Sequence, residues 1–474
     1  MKICLITPPS PFLLDQRVFP SLGILKVAAV LEQAGVQVDH LDLTGVSNYE
    51  EAAREYQGNA DVYAFTSTTP QLPAAIRIRR AIGGRSVLGG PHATLVHAAA
   101  KRGNSRAKSA LEGLLAEFGT VVAGDGEKAI FTALHSRGLV DADDPKGILW
   151  QSSKDFSESP WPARHLLDME SYHYSIDGAK AGHCIGQLGC PYHCTFCSGR
   201  NSPMLRQIRL RTPDSVLAEV RHLYQTYGFT GINFFDDELN VNREMIPLMR
   251  GMASLAKELG IEWKLRGFIK SELFNEEQAE VMYEAGFRWI LTGFESGSDR
   301  ILKNIQKMAT RDQNTRCMEI AHTHGLKVKA LMSLGHAGES LETVMDTCSW
   351  LLETKPDDLD VTVITPYPGS PYWDDAVHLR DNVWRYTATK TGDFLYMEEV
   401  DFTQTADYYK GVAGEYVSHV WTDELSQKDL VDSRDWLECV TKAELGIAMP
   451  TSQPAIAYES SMGMTSKILR SSVK

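Results

Sequence analysis

Short apolar runs ending in glycine, proline or hydroxyl residues alternate twice along this chain with longer amphipathic stretches. That rhythm constrains the fold more than any other feature. Over roughly the first 140 residues the runs are KICLITPP, VQVDHLDL, DVYAFTS, RSVLGG and GTVVAGDG. Each is followed by a loop and a stretch of helical period, such as LGILKVAAVLEQAG, which Gly35 closes. Strand and helix in alternation predict an α/β chain that opens with a Rossmann-like (flavodoxin-like) parallel sheet. A second series starts at GHCIGQLG and continues through INFFDDELN, WKLRGF, WILTGFESG, VKALMSLG and DVTVITPYPG, with helices such as TPDSVLAEVRHLYQTYG between them. Six strand–helix units predict a partial (β/α)6 barrel. The chain thus divides into a sheet domain over 1–145, a Pro-, Ser- and aromatic-rich linker over 146–180 and a barrel over 181–375. A small, mainly helical C-terminal capping domain over 376–450 and a flexible tail over 451–474 complete it.

In open sheets and in barrels, ligands sit beyond the carboxyl ends of the strands. In the first domain those ends carry Thr66, Ser67 and Thr68, then Gly89, Gly90, Pro91 and His92, then Gly124, Asp125, Gly126 and Glu127. Glycine admits a ligand to the backbone and hydroxyls offer hydrogen bonds, although glycine at a strand end is also ordinary turn chemistry. A net charge of -13 argues against an extended nucleic-acid surface. The start, MKICLITPPSPFLL, is broken by prolines and predicts neither signal peptide nor anchor, and no apolar run is long enough to span a bilayer. Eight cysteines, three of them clustered, fit a reducing cytoplasm with a metal or redox centre better than a secreted disulfide framework.

Cys190, Cys194 and Cys197 form a C-x3-C-x2-C cluster on the loop after the first barrel strand. A structural zinc site needs a fourth ligand, and the nearest, His193, lies between two of the cysteines, where simultaneous chelation is awkward. Thiolates also hold iron–sulfur clusters, and a four-iron cluster gripped by three cysteines leaves one iron open to a substrate.

This spacing, with Phe196 just before the last cysteine, resembles that of the radical S-adenosylmethionine (SAM) enzymes. The resemblance implies a 4Fe-4S cluster whose open iron chelates SAM and whose electron cleaves it to a 5′-deoxyadenosyl radical. Companion segments follow in order. FFDDELN stands where that family often has Gly-Gly-Glu, which implies that Asp236, Asp237 or Glu238 meets the SAM amino group. GFESGSDRILKNIQKM resembles the Gly-x-Glu-Ser-Gly segment of the branch that includes methylthiotransferases, and so implicates Glu295 and Ser296 in ribose or amino-acid contacts. LMSLGHAGES is similar to a Gly-Leu-Pro-Gly-Glu loop that backs the adenine, which implicates Leu334 and Gly335, with alanine in place of the proline. ITPYPGSPYW matches a Pro-Tyr-Pro-Gly-Thr/Ser-Pro loop after the last barrel strand.

In the first domain, FPSLGILKVAAVLEQAG, VLGGPHATL and VVAGDGEKAIFTAL resemble the cobalamin (B12)-binding domain that precedes the barrel in one large subclass. That implies cobalamin contacts from Ser21, Leu22, Gly23, Thr66, Ser67, Thr68, Gly89, Gly90, Pro91, His92, Gly124, Gly126 and Glu127. The cobalt-ligating Asp-x-His-x-x-Gly motif is absent, since DHLDLTG has its letters at the wrong spacing, so the cobalamin is expected without a histidine lower ligand. His92 is then a loop or corrin-edge contact. An empty scaffold that has kept its pattern is the alternative for this domain. Methylthiotransferases place a second cysteine cluster here, whereas the first 180 residues hold only Cys4.

The implied enzyme is a class B-like radical SAM methyltransferase that methylates an unactivated carbon of a small biosynthetic intermediate through a 5′-deoxyadenosyl radical and methylcobalamin. The alternative is a non-methylating cobalamin-dependent radical SAM enzyme, catalysing an oxidative rearrangement, ring contraction or cyclisation. A non-catalytic corrinoid sensor is the reading from another class and needs no cluster. The expected partners are a small-molecule substrate and an external electron donor such as flavodoxin or ferredoxin, in the cytoplasm, with neither nucleic acid nor a membrane span.

Overall fold

A computed structural model describes residues 1–10, 15–408 and 416–448; the tail expected over 451–474 lies outside the described residues. Its first sheet is formed by β1 (Lys2–Thr7), β2 (Gln37–Asp42), β3 (Val62–Thr66), β4 (Ser86–Gly89), β5 (Gly119–Gly124) and β6 (Gly138–Ala142), in the order β2-β1-β3-β4-β5-β6. Every neighbouring pair is parallel. Side chains alternate across a strand, so Ile3 and Leu5 of β1 pack with the helices Leu22–Gln33 and Gly126–Ala133 on one face. Cys4 and Ile6 pack with the helices Leu72–Ile82, Pro91–Lys101 and Ser105–Phe118 on the other. The strand order reverses at β1, which places a ligand crevice beyond the ends of β1 and β3. The apolar runs predict five strands; β6 is a sixth, an edge strand whose Leu139 remains 38% exposed and so leaves no apolar alternation to read.

The second sheet opens with β7 (Ser175–Ile176), antiparallel to β8 (Ala179–Cys184). A two-stranded antiparallel ribbon, β9 (Gln187–Leu188) and β10 (Arg209–Leu210), then brackets the cysteine loop. The sheet resumes with β11 (Gly231–Phe234), β12 (Lys264–Phe268), β13 (Phe287–Glu295), β14 (Lys327–Leu334) and β15 (Asp358–Val363), in the order β15-β14-β13-β12-β11-β8-β7. From β8 to β15 the six strands run parallel, as a partial (β/α)6 barrel requires. Thr212 caps the helix Pro213–Tyr227 through the Ser215 N–H, and Gly228 ends it in the left-handed conformation.

The C-terminal part holds one long helix, Gln427–Leu445, and also a sheet not foreseen among the aromatic and acidic stretches. β16 (Val377–Arg380), β17 (Val383–Thr387), β18 (Phe394–Glu398) and β19 (Val420–Trp421) form an antiparallel meander. The long helix packs on β15 and on the helix Leu341–Thr354. Arg434 Nε donates to the Val361 carbonyl at 3.0 Å, so this helix takes the place of a sixth barrel helix. Among the described residues no helix is long and apolar enough to cross a membrane.

Candidate active site

Backbone bonds and two carboxylates build the cysteine loop. Gly189 takes φ +86°, and a Cβ there would stand 2.1 Å from the Gln207 carbonyl oxygen, so only glycine fits before Cys190. From the end of β11, Asp236 Oδ1 accepts the Gly186 N–H and Asp237 Oδ2 accepts the Gly189 N–H, each at 2.6 Å. Farther on, Cys190 N–H donates to Leu205 O (3.0 Å), Thr195 N–H to Ile305 O (2.9 Å) and Cys197 N–H to Cys194 O (3.2 Å).

Cys190 and Cys194 are half-buried, whereas Cys197 keeps an exposed surface. Even so, desolvation raises all three thiols, Cys190 to about 11 and Cys197 to about 12. A lone thiolate is disfavoured in this loop, and a bound cationic centre would favour deprotonation. Among the described residues no three Cys, His, Asp or Glu side chains converge as ligands of one ion. Three thiolates are a soft donor set, which suits an iron–sulfur cluster. Mononuclear zinc closed by His193 does not fit: that imidazole is exposed, and its Nε2 lies 3.5 Å from Arg206 Nη2.

Asp236 Oδ2 and Glu238 Oε2 are buried oxygens without a partner among the described residues, and desolvation pushes both carboxyls up to about 7. Asp236 and Asp237 each give one oxygen to the loop backbone, and Asp236 keeps its Oδ2 free; the acid whose carboxylate makes no bond to the loop is Glu238. Two buried lysines face it. Lys270 donates to the Lys307 carbonyl at 2.9 Å and lies 4.1 Å from the Tyr192 ring centre; Lys307 Nζ lies 3.1 Å from Glu295 Oε1. Neither lysine belongs to a segment's recognised letters, although Lys307 falls inside GFESGSDRILKNIQKM.

A cavity of about 190 Å³ opens at the barrel's strand ends between Phe196, Glu295, Ser333, Thr362, Tyr367 and Tyr416. Glu295 sits there at φ +68°, beside a register shift between β13 and β14. Its Oε2 accepts the Ser333 hydroxyl at 2.7 Å, Ser333 Oγ meets His336 Nε2 at 2.8 Å, and His336 Nδ1 meets the Tyr372 hydroxyl at 3.3 Å. Burial pushes His336 down to about 4 and keeps it neutral. With a carboxylate at one end, the hydrogens run one way: Tyr372 to Nδ1, Nε2–H to Ser333, Ser333 to Glu295. Ser296 and Leu334 do not line the cavity. Ser296 Oγ lies 3.2 Å from Thr347 Oγ1 and accepts the Ser298 N–H; Leu334 is fully buried in the core. Gly335 follows at φ +86°, with its N–H 3.2 Å from Glu339 Oε2.

A second cavity, of about 350 Å³, lies at the carboxyl ends of the first sheet. Ser21, Gly23, Thr66, Thr68, Gly89, Gly90, Pro91, Gly124, Gly126 and Glu127 line it. Leu22, Ser67 and His92 do not. Leu22 is a core residue, Ser67 is fully buried and donates to the Thr68 carbonyl, and His92 Nδ1 lies 3.1 Å from Thr69 Oγ1 with its ring edge toward Phe402. Gly90 and Gly124, at φ +96° and +98°, are demanded by neighbouring backbone, since added Cβ atoms would stand 2.7 Å from Ser67 N and 2.4 Å from the Ala142 carbonyl carbon. Gly23 has nothing within 4 Å and is open. The lining combines hydroxyls and apolar walls with the carboxylates of Asp125 and Glu127. Lys26, Gln71 and Phe156 also line it. The sequence signal for Lys26 is a lone cation inside the apolar run LGILKVAAVL.

The cysteine loop and this cavity share a wall. Ile185, Leu188 and Met204, which flank the cysteines in sequence, close the cavity on its barrel side. Arg209 of β10 forms a buried ion pair with Asp125, and Asp143 Oδ1 accepts the Ser202 hydroxyl (2.9 Å) and the Met204 N–H (2.6 Å).

Two family models match the chain: that of the B12 binding domain over residues 16–129 and that of the Radical SAM superfamily over residues 185–351. Together they span more than half of it. An uncharacterized methyltransferase, PH0819, of Pyrococcus horikoshii is 28% identical over 408 residues, covering 80% of this chain and 83% of that protein. Cytidylyl-2-hydroxyethylphosphonate methyltransferase of Streptomyces wedmorensis is 23% identical over 439 residues, covering 78% and 80%. The solved structure of a radical S-adenosylmethionine methyltransferase, TsrM, from Kitasatospora setae with cobalamin and a 4Fe-4S cluster bound has a TM-score of 0.63 at 18% identity, over 82% of this chain and 81% of that one. That last likeness is one of fold. With the two family matches in order along the chain, and with the cysteine loop walling the strand-end cavity, the chain belongs to the cobalamin-binding radical S-adenosylmethionine enzymes.

Proposed function

We propose that this enzyme is a cobalamin-dependent radical SAM methyltransferase acting on an unactivated carbon of a small biosynthetic intermediate. The observation that carries the reading is the shared wall: Leu188 and Met204 lie beside the cysteines in sequence and also line the cavity of the first sheet. When bound, the cluster supplies the electron that cleaves SAM, and cobalamin supplies the methyl group to be transferred. The chain's own residues bind, orient and exclude water. Cys190, Cys194 and Cys197 hold the cluster at three corners, and Glu238 offers its free oxygen to the SAM ammonium. Glu295, fixed by Lys307 and Ser333, would take the ribose hydroxyls, with Phe196 lining the same cavity. Ser21, Thr66 and Thr68, which line the other cavity, would hydrogen-bond the cobalamin side arms. Fixed distances of this kind raise effective concentration, on which a short-lived radical depends. A relative named as a cytidylyl-2-hydroxyethylphosphonate methyltransferase supports a small-molecule substrate. A flavodoxin- or ferredoxin-like carrier supplies the electron.

The test is anaerobic reconstitution with iron, sulfide, cobalamin, SAM and a strong reductant, with products identified by mass spectrometry across a panel of intermediates. Methyl transfer gives 5′-deoxyadenosine and S-adenosylhomocysteine together. Cys194→Ala is expected to lose the cluster absorbance and both products. Deoxyadenosine formed with no homocysteine product would sink methyl transfer and leave the non-methylating reading.

A further inference from the structure

Within the cavity of the first sheet, the one cation, Lys26, has no hydrogen-bonding partner among the described residues. Lys26 lies on the helix Leu22–Gln33, its side chain is 8% exposed, and it lines the cavity. Its nearest carboxylate oxygen, Glu127 Oε1, is 3.9 Å from Nζ, beyond hydrogen-bond reach, and the Phe156 ring centre is 4.8 Å away. The other acids that act on it are already engaged: Glu219 by Arg164 and Arg211, Asp125 by Arg209. An ammonium this buried is costly unless an anion reaches it, and its N–H donors are unspent.

We propose that Lys26 is the anion anchor of the cobalamin cavity and that its ammonium takes the phosphodiester of the cobalamin nucleotide tail. The inference rests on the cobalamin reading above. The phosphodiester is the anionic group of cobalamin; the side arms of the corrin are neutral amides, which hydroxyls such as Ser21 and Thr68 can serve. The walls beside Lys26 are apolar (buried Ile24, Val122 and Ile130, with half-buried Val27), and they suit the flat base that the phosphodiester carries. Burial lowers the Lys26 pKa, and Glu127, at its longer distance, opposes that shift without using the donors of the ammonium.

The experiment titrates apoprotein with hydroxocobalamin and, separately, with cobinamide, which lacks both phosphodiester and base, following corrin absorbance. Lys26→Met keeps the stem and removes the charge; it is expected to weaken cobalamin binding by about tenfold or more. Its cobinamide binding should match that of the unaltered chain, which also shows that the variant folds. Lys26→Arg, which keeps the charge, should bind cobalamin within a few-fold of the original. Equal weakening of both corrinoids by Lys26→Met, or no weakening of either, overturns the anchor. Failure of the unaltered chain to bind either corrinoid overturns the cobalamin reading, and the anchor with it.

Discussion

His336 stands where the resembling loop usually carries leucine, and that exchange turns a packing position into a donor. Its Nε2–H fixes the Ser333 hydroxyl, and Ser333 in turn holds Glu295 at the cavity wall. His336→Leu removes the donor and leaves Ser333 free to rotate away from Glu295. The loss of one hydrogen bond of this kind is worth about 1 kcal/mol, so SAM binding should weaken about fivefold. The cluster absorbance should persist, because no cysteine is touched. His336→Gln, which keeps an N–H, should recover most of the affinity. Unchanged SAM binding in His336→Leu would show that the chain of hydrogen bonds only packs the loop.

At the scale of elements, the β9–β10 ribbon ties the cysteine loop to the first sheet. Its β10 strand carries Arg209, which is 3% exposed and pairs with Asp125 at the end of β5. The same guanidinium donates to Met204 O at 2.9 Å and stands over the Trp150 ring. Desolvation raises Asp125, and Arg209 opposes that rise. Arg209→Met therefore strands a buried carboxylate, at a cost on the order of 3–5 kcal/mol. A thermal melt should show a marked fall in Tm, and adding Asp125→Asn should recover part of it by removing the stranded charge. A double variant as unstable as the single one would mean that the ribbon is held by shape alone.

Across the whole molecule, Arg106 joins the first domain to the C-terminal sheet. From the helix Ser105–Phe118 it reaches between Trp373 and Trp384, with its guanidinium carbon 3.8 and 3.7 Å from the two ring centres, and it pairs with Glu399 at 2.6 Å. Desolvated cation–π contacts of this kind are worth about 2 kcal/mol each. Arg106→Leu should broaden a single calorimetric transition or split it in two, as the C-terminal sheet loosens from the rest. A single transition at an unchanged Tm would rule out Arg106 as the tie.

Much of this architecture is local and therefore legible. The short apolar run of β1 marks a strand buried on both faces, the helical period of LGILKVAAVLEQAG reports side-chain directions fixed by the backbone, and the cysteine spacing needs no folding to be seen. What escaped was set by distant partners. β6 lacks an alternating apolar face because it lies at an edge. The helix Gln427–Leu445 fills the sixth barrel place only because β15 leaves it open. Ser296, Leu334, Gly335, Leu22, Ser67 and His92 carry expected letters but do not line either cavity, nor do Asp236, Asp237 and Glu238, since a motif names a residue and not the direction of its side chain. Sequence alone determined the strand–helix order, the three thiols and the family they point to. Tertiary structure decided that Glu238 keeps a free oxygen, that Lys26 faces a cavity and that the cysteine loop walls it, because burial and charge compensation arise only from contacts between residues far apart in the chain.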